Sequence, residues 1–196
     1  MEKFQIEIWR WIMTHFMPLI FDIIPLLIFV ILDSLGKMRY ALIGAVTAAG
    51  FEIGYSYFAM GSIDSFSLIF AGTILLFASL SYYFNNSIFF RLKPAIIGGI
   101  TGMIVVVTSM MGEPVLLSMA DRYSTHLPEN MSHTLQNQYV RDQFTNINHY
   151  MGFGLIIHSI LTTWAAIYTG RWIWFFVSVP GMYVTIALCV WVGLKN

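Results

Sequence analysis

The feature that most constrains this chain is an apolar run from Ala95 to Met111 that contains no charged residue. It approaches the roughly 20 apolar residues that a helix needs to cross a bilayer. Arg91 and Lys93 precede the run and can keep their charged groups among lipid headgroups. Pro94 suits the first turn of a helix, because its missing N–H would have no helical partner there. We therefore expect a membrane helix that begins at Pro94.

Five further apolar runs indicate a polytopic membrane protein. The six predicted spans are Phe16–Leu32, Tyr40–Met60, Phe66–Phe84, Pro94–Met111, His149–Thr169 and Trp172–Leu194. The first is short and contains Asp22 and two prolines, so five spans are the alternative. Charged residues make up 10% of the chain, whereas soluble domains carry about a quarter. The predicted fold is all-α, a membrane helical bundle with short amphipathic interfacial helices.

Two segments outside the spans have amphipathic patterns. Residues 1–15 favour a helix in the membrane interface, with a disordered terminus as the alternative. Residues 113–148 form the one long connection, and their apolar residues recur at helical spacing: Val115, Leu116, Met119 and Tyr123, then Leu127, Met131, Leu135 and Tyr139. The second of these predicted helices can run straight into the fifth span. The predicted organisation is therefore 1–15 interfacial, 16–112 spans one to four, 113–148 amphipathic, and 149–196 spans five and six.

Small residues recur four apart in two spans, as Gly50 and Gly54 in the second and Gly98 and Gly102 in the fourth. Such spacing lets helices approach closely in lipid, where packing rather than hydrophobicity drives association. We interpret both pairs as packing surfaces. The cations divide evenly between the two predicted membrane sides, so charge does not indicate the orientation. The zero net charge argues against nucleic acid as a partner.

Two carboxylates inside predicted spans are candidates for chemistry. Glu52 lies near the middle of the second span, where an ionised carboxylate is costly unless it is paired. It is either a proton or cation site, or a glutamate hydrogen-bonded between helices. Asp22 precedes Pro25, which frees a backbone carbonyl one turn earlier. Asp22 either binds a cation or caps a helix, or it lies at the interface without a function. Together Glu52 and Asp22 define one alternative function, a small proton- or cation-coupled transporter.

The histidines predict no metal site. His149 and His158 lie nine residues apart in one span, so they point to opposite sides of the helix and cannot both bind one ion from it. No HExxH motif is present. A haem held by His15 and His158 is a second alternative, which a Soret band would reveal. We expect no cofactor and a structural or pH-sensitive role for His158. The sequence has no phosphate-binding loop and no GxSxG motif, so we do not expect an enzyme.

Several short motifs, in their order, resemble the bacterial intracellular septation protein A family. They are Phe21-Asp22-Ile23-Ile24-Pro25-Leu26, the Asn85 to Pro94 segment with Phe-x-x-x-Lys-Pro, Glu113-Pro114-Val115-Leu116, Leu127-Pro128-Glu129, and Asn148 at the fifth span. The resemblance covers about residues 16–196. The chain departs from the family by a longer stretch after Leu127-Pro128 and by His149-Tyr150-Met151 where tryptophans are expected.

This resemblance implies a bacterial inner-membrane protein of cell division and envelope integrity, for which no reaction is established. The expected function is therefore non-enzymatic and acts through membrane proteins of division or cell-wall synthesis, and a homo-oligomer is compatible with the pattern. The candidate functional residues are Asp22, Pro25, Glu52, Asn85, Arg91, Lys93, Pro94, Glu113, Asn148 and His158.

Overall fold

The computed structural model describes residues 23–60, 65–123 and 137–195. Within these ranges the chain forms helices and no strand. The helices are α1 Ile23–Ser34, α2 Met38–Met60, α3 Ser65–Tyr83, α4 Ile88–Met110, α5 Val115–Tyr123, α6 Gln138–Tyr168, α7 Arg171–Ser178 and α8 Pro180–Lys195. The chain divides into two compact units, Met1–Lys93 and Pro94–Asn196, with the boundary inside α4.

In the first unit, α1 and α2 form a helical hairpin around a short turn. Gly36 has a φ of +73°, which only glycine adopts at little cost. Its N–H donates to Asp33 C=O (2.9 Å) and Lys37 N–H donates to Leu32 C=O (3.1 Å), which is a Schellman ending of α1. Farther along the hairpin, a Cβ on Gly44 would lie 2.8 Å from the Ile28 side chain, so α1 and α2 pack closely. Helices α2 and α3 also pack against each other.

In the second unit, α6 is the central helix and contacts α4 on one side and α8 on another. A Cβ on Gly102 of α4 would lie 2.9 Å from the carbonyl oxygen of Gly152 in α6. On the other side, a Cβ on Gly193 of α8 would lie 2.7 Å from Ile147 Cα. These contacts require glycine, because any side chain would push the helices apart.

The membrane assignment is confirmed at the level of fold class. Within the described residues, three stretches are long and apolar enough to cross a bilayer: Ile88–Met110, Gln138–Tyr168 and Arg171–Lys195. Shorter apolar helices occupy Ile23–Ser34 and Leu68–Tyr83. The count of six spans stays a prediction.

The position predicted for Pro94 was wrong. Helix α4 begins at Ile88, so Pro94 lies inside the helix and not in its first turn. Arg91 and Lys93 are accordingly part of the helix and are buried, 7% and 2% exposed, where we expected exposure to headgroups. The cause lies upstream, because Asn86 Oδ1 accepts a hydrogen bond from Ile88 N–H (3.0 Å) and starts the helix early.

Two predicted segments at the end of the chain have different boundaries from those expected. The sixth run is divided into α7 and α8 at Val179, before Pro180, which has no N–H to continue the helix. Helix α6 starts at Gln138, well before the predicted His149, and Asn137 Oδ1 caps it by accepting from Tyr139 N–H (2.9 Å). Residues Gln138 to Asn148 are continuous with the predicted fifth span in one helix, and the amphipathic helix expected from Leu127 onwards stays a prediction. The preceding residues 124–136 lie outside the described part of the chain, as does the predicted interfacial segment 1–15.

Candidate functional site

The predicted motif at Glu113 and Pro114 forms the connection between α4 and α5. Gly112, with a φ of +84°, ends α4 in a second Schellman motif. Its N–H donates to Ser109 C=O (3.1 Å), and Glu113 N–H donates to Thr108 C=O (3.0 Å). Pro114 is buried and its carbonyl accepts the first hydrogen bond of α5, whereas Glu113 is exposed. The motif therefore turns the chain sharply from α4 into α5.

Asn148 attaches α5 to the helices beside it. Its side chain is fully buried in α6. Oδ1 accepts a hydrogen bond from Leu116 N–H (3.1 Å), and Nδ2 donates to Val105 C=O of α4 (3.4 Å). Leu116 lies in the first turn of α5, where backbone N–H groups have no helical acceptor. Asn148 thus caps α5 from a neighbouring helix and joins three helices at one point.

A second attachment of α5 is an ion pair with the start of α6. Arg141 Nη1 and Nη2 donate to the two oxygens of Asp121 at 2.8 and 3.1 Å. The geometry is bidentate, which fixes the relative orientation of the two helices. The hydrogen bonds from Arg141 lower the pKa of the Asp121 carboxyl below its usual value. We call the four residues Leu116, Asn148, Asp121 and Arg141 the α5 clamp.

His149 and Ser109 add a contact between α4 and α6 beside the clamp. Ser109 Oγ lies 3.2 Å from Nε2 of His149, and Nδ1 of the same ring lies 2.9 Å from Thr145 C=O. The ring is exposed at the helix surface, and it lies on the opposite side of α6 from His158, as expected from their spacing of nine residues. The clamp region therefore has polar contacts between helices, although it lies next to apolar spans.

His158 lies between α6 and α8 and is only 6% exposed. Nε2 is 3.2 Å from Thr162 Oγ1 of the same helix, and Nδ1 is 3.3 Å from Thr185 Oγ1 of α8. The hydroxyl of Thr185 also donates to Gly181 C=O (2.9 Å). Both ring nitrogens therefore face hydroxyl groups, an arrangement that joins two helices.

The haem alternative requires His158 and His15, and a metal site would require a cluster of ligand side chains. No group of three His, Cys, Asp or Glu side chains in the described ranges is placed to hold a metal ion. His15, the other residue of the haem alternative, lies outside those ranges.

In the first unit, Asn85 provides the turn between α3 and α4. Its φ is +48°, a left-handed conformation that asparagine tolerates better than most residues. Asn85 N–H donates to Tyr82 C=O (3.2 Å), and the N–H of Asn86 donates to Ser81 C=O (3.0 Å). The hydroxyl of Ser81 then accepts from Phe90 N–H (2.7 Å) in the first turn of α4. The motif that resembles the family thus builds a hydrogen-bonded turn that starts α4.

Two buried cations, Arg91 and Lys93, follow this turn in the first two turns of α4. Lys93 Nζ lies 3.7 Å from the centre of the Phe70 ring, a cation–π contact. Arg91 is buried in the same turn of α4, next to Phe90, whose ring stacks on Phe29 with centroids 4.2 Å apart. Asp33 follows Phe29 by one helical turn and is 1% exposed. Sequence reasoning missed Asp33, although its place at the end of an apolar run was a signal.

The remaining candidates are placed as follows. Pro25 is buried in α1, and Glu52 is half-buried in α2. Asp22 lies outside the described residues, so the transporter alternative that uses Asp22 and Glu52 stays a prediction. A Cβ on Gly50 or Gly54 would meet no described atom within 4 Å.

The glycines of α4 differ from one another in their surroundings. A Cβ on Gly98 would also meet no described atom within 4 Å. One on Gly99 would lie 2.8 Å from Ser159 Oγ, and Gly102 contacts Gly152 as described above. The close face of α4 thus includes Gly99 and Gly102. Sequence reasoning missed Gly152 of α6, and it missed Gly99, for which the three-residue spacing to Gly102 on α4 was the available signal.

Comparisons with a family model and with curated proteins agree on one family. The family model for intracellular septation protein A matches residues 17–188. The chain is similar to the inner membrane-spanning protein YciB of Haemophilus influenzae (strain PittEE), with 28% identity over 119 residues, which cover 61% of this chain and 64% of the relative. It is also similar to the protein of that name from Sodalis glossinidius, with 24% identity over 58% of this chain and 65% of the relative. A third relative of that name, from Acidithiobacillus ferrooxidans (strain ATCC 53993 / BNL-5-31), has 22% identity over 80% of this chain and 80% of its own length.

The chain thus spans just under two thirds of the length of the Haemophilus and Sodalis relatives. No solved structure matches the chain.

Proposed function

This chain belongs to the intracellular septation protein A family, and we propose that it supports septation and envelope maintenance by binding membrane proteins of cell division or cell-wall synthesis. It is an inner-membrane protein of a family linked to septation. The proposed role is non-enzymatic. In this role the protein holds partners in place and performs no chemical step on a substrate.

The observation that carries this proposal is the α5 clamp. Helix α5 is a short amphipathic helix that directly follows an apolar candidate span. Asn148 fixes its start, and the Asp121–Arg141 pair fixes its later half against α6. Met119, which lies between these two attachments, remains 50% exposed. A surface that is already rigid loses less conformational entropy when a partner binds.

Hydrogen bonds between helices of the second unit also support the proposed role in holding partners. Ser159 Oγ donates to Ala95 C=O (2.6 Å) and joins α6 to α4. His158 joins α6 to α8 through Thr185, and Asn148 joins α6 to α4 and α5. Each of these side chains hydrogen-bonds another helix, which suits a protein whose task is to hold a fixed shape.

The test is complementation of cells that lack the endogenous gene. Arg141→Asp places two carboxylates together and should loosen α5, so that the variant should fail to restore division and envelope integrity. Combining it with Asp121→Arg restores an opposite-charge pair and should restore division. Asp142→Arg is the matched control, because Asp142 is on the same turn of α6 and hydrogen-bonds only Gln138 among the described contacts. Full complementation by Arg141→Asp, at normal expression, would contradict the proposal.

A further inference from the structure

An open groove lies between α2 and α3 in the first unit. It has a volume of about 500 Å³ and mainly apolar walls. Its lining residues are Leu42, Ile43, Val46, Thr47, Leu75, Ala78, Ser79, Tyr82 and Tyr83. Ile43 and Leu75 are 62% and 56% exposed, so the groove opens outwards. In an inner-membrane protein, such exposed apolar side chains contact acyl chains.

One end of this groove carries positive charge and tyrosines. The guanidinium of Arg39 lies 5.7 Å from the centre of the Tyr82 ring, which holds the cation at the groove mouth. Arg39 is in the first turn of α2, where the helix dipole is also positive. Lys37, just before α2, is exposed, and so is Tyr83 at 82%. Tyrosines and cations at one level are typical of the headgroup region.

The groove continues along α2 away from the cations. Thr47 also lines a second apolar depression, formed with Gly50, Phe51, Gly54 and Phe58. The two glycines leave the surface open, as their Cβ positions show. From Arg39 to Gly54 the helix rises by about 22 Å. The surface therefore has a charged end and a long apolar track, which matches an amphiphile with one acyl chain along the helix.

We propose that this groove binds one anionic phospholipid, with its phosphate beside Arg39 and Lys37 and an acyl chain along α2. Charge favours this occupant over a second copy of the chain. A two-fold interface is self-complementary, so a parallel pair built on this face would bring two Arg39 side chains together. An anionic headgroup instead neutralises the cation, and the apolar walls need only an acyl chain.

Native mass spectrometry of the purified full chain in detergent tests the charged end. Titration with phosphatidylglycerol should show one tight lipid per chain, and phosphatidylcholine should bind more weakly. Arg39→Gln should weaken phosphatidylglycerol binding about fivefold, because one surface cation contributes roughly 1 kcal/mol to binding of anionic lipid. Lys195→Gln is the control, since Lys195 also lies over an aromatic ring, 3.8 Å from the Trp191 centroid, at another helix end. Equal affinity for the two lipids, or equal loss in both variants, would overturn the proposal.

A second pair of variants tests the apolar track. Gly50→Leu places a side chain in the apolar depression, where its Cβ would meet no described atom within 4 Å, and it should reduce the bound phosphatidylglycerol. Gly72→Leu is its control, because Gly72 on α3 also has open space around its Cβ position and lies outside the groove lining. Circular dichroism and thermal unfolding establish that both variants fold. Unchanged binding in folded Gly50→Leu, or a dimer that excludes added lipid, would overturn the proposal.

Discussion

Replacement of Asn148 by alanine should destabilise the second unit by an amount that its contacts define. The hydrogen bond to Leu116 N–H (3.1 Å) resembles an N-cap and contributes about 1 kcal/mol. The longer bond to Val105 C=O (3.4 Å) joins membrane helices and contributes roughly 0.6 kcal/mol. The space left by the buried amide adds about 1 kcal/mol, at ~24 cal/mol per Å³. We therefore expect a loss of about 2–3 kcal/mol in the free energy of unfolding.

The assay is reversible unfolding in mixed micelles, together with hydrogen exchange resolved at α5. In the wild-type protein, Leu116 N–H should exchange slowly, because Asn148 holds it in a hydrogen bond. In Asn148→Ala this amide should exchange many times faster, and α5 should open before α6 does. Asn146→Ala is the matched control, since Asn146 is two residues away on α6 and only half-buried. It should change the free energy of unfolding by less than about 0.5 kcal/mol.

One result would refute the reasoning. If Asn148→Ala unfolds within about 0.5 kcal/mol of the control and Leu116 remains protected, then Asn148 does not hold α5 in place. The hydrogen bonds of Asn148 to Leu116 and Val105 would then contribute nothing measurable, and the α5 clamp would depend on the ion pair alone.

Three further predictions concern turns and packing, each read from thermal unfolding. Asn85→Gly should leave the melting temperature unchanged or raise it, because the φ of +48° at this position is left-handed. Asn85→Ala should lower the free energy of unfolding by about 1–2 kcal/mol. Equal melting temperatures for the two variants would contradict this. Ser81→Ala should lower the free energy of unfolding by about 1 kcal/mol, because it removes the hydrogen bond that caps α4. Ser79→Ala should have almost no effect, because the exposed hydroxyl of Ser79 donates to Leu75 C=O of its own helix. Gly102→Ala should disrupt the α4–α6 contact and lower the melting temperature, whereas Gly98→Ala should leave it unchanged or raise it. A lower melting temperature for Gly98→Ala than for Gly102→Ala would refute the assigned packing face.

Much of the helical layout could be predicted from apolar runs, because a membrane helix needs both length and apolar character. The helix ends were not predicted, because they depend on capping side chains and on prolines, which the apolar runs do not reveal. Pro94 illustrates this: the rule that places proline in a first turn failed because Asn86 and Ser81 supply acceptors that start α4 six residues earlier. The break at Val179 similarly depends on Pro180 within an otherwise continuous apolar run.

The candidate site was predictable in part. Asn148 was singled out through resemblance, but its partners lie 32 and 43 residues away along the chain, and no local pattern connects them. The four-residue glycine spacing on α4 identified Gly102 and did not reveal which face its partner helix contacts. Arg141 had no signal of its own, because an exposed arginine in a polar segment is common and its bidentate partner on α5 depends on the tertiary fold.

In vivo photocrosslinking from α5 tests the central claim most directly. A photoreactive amino acid replaces Met119 in dividing cells, and Ile157, an exposed apolar position on α6, serves as the control site. The account predicts adducts with membrane proteins of division or cell-wall synthesis from Met119 and not from Ile157, and their loss in Arg141→Asp. No adduct specific to Met119, or the same adducts from both positions, would contradict the claim that α5 binds the partners of this protein.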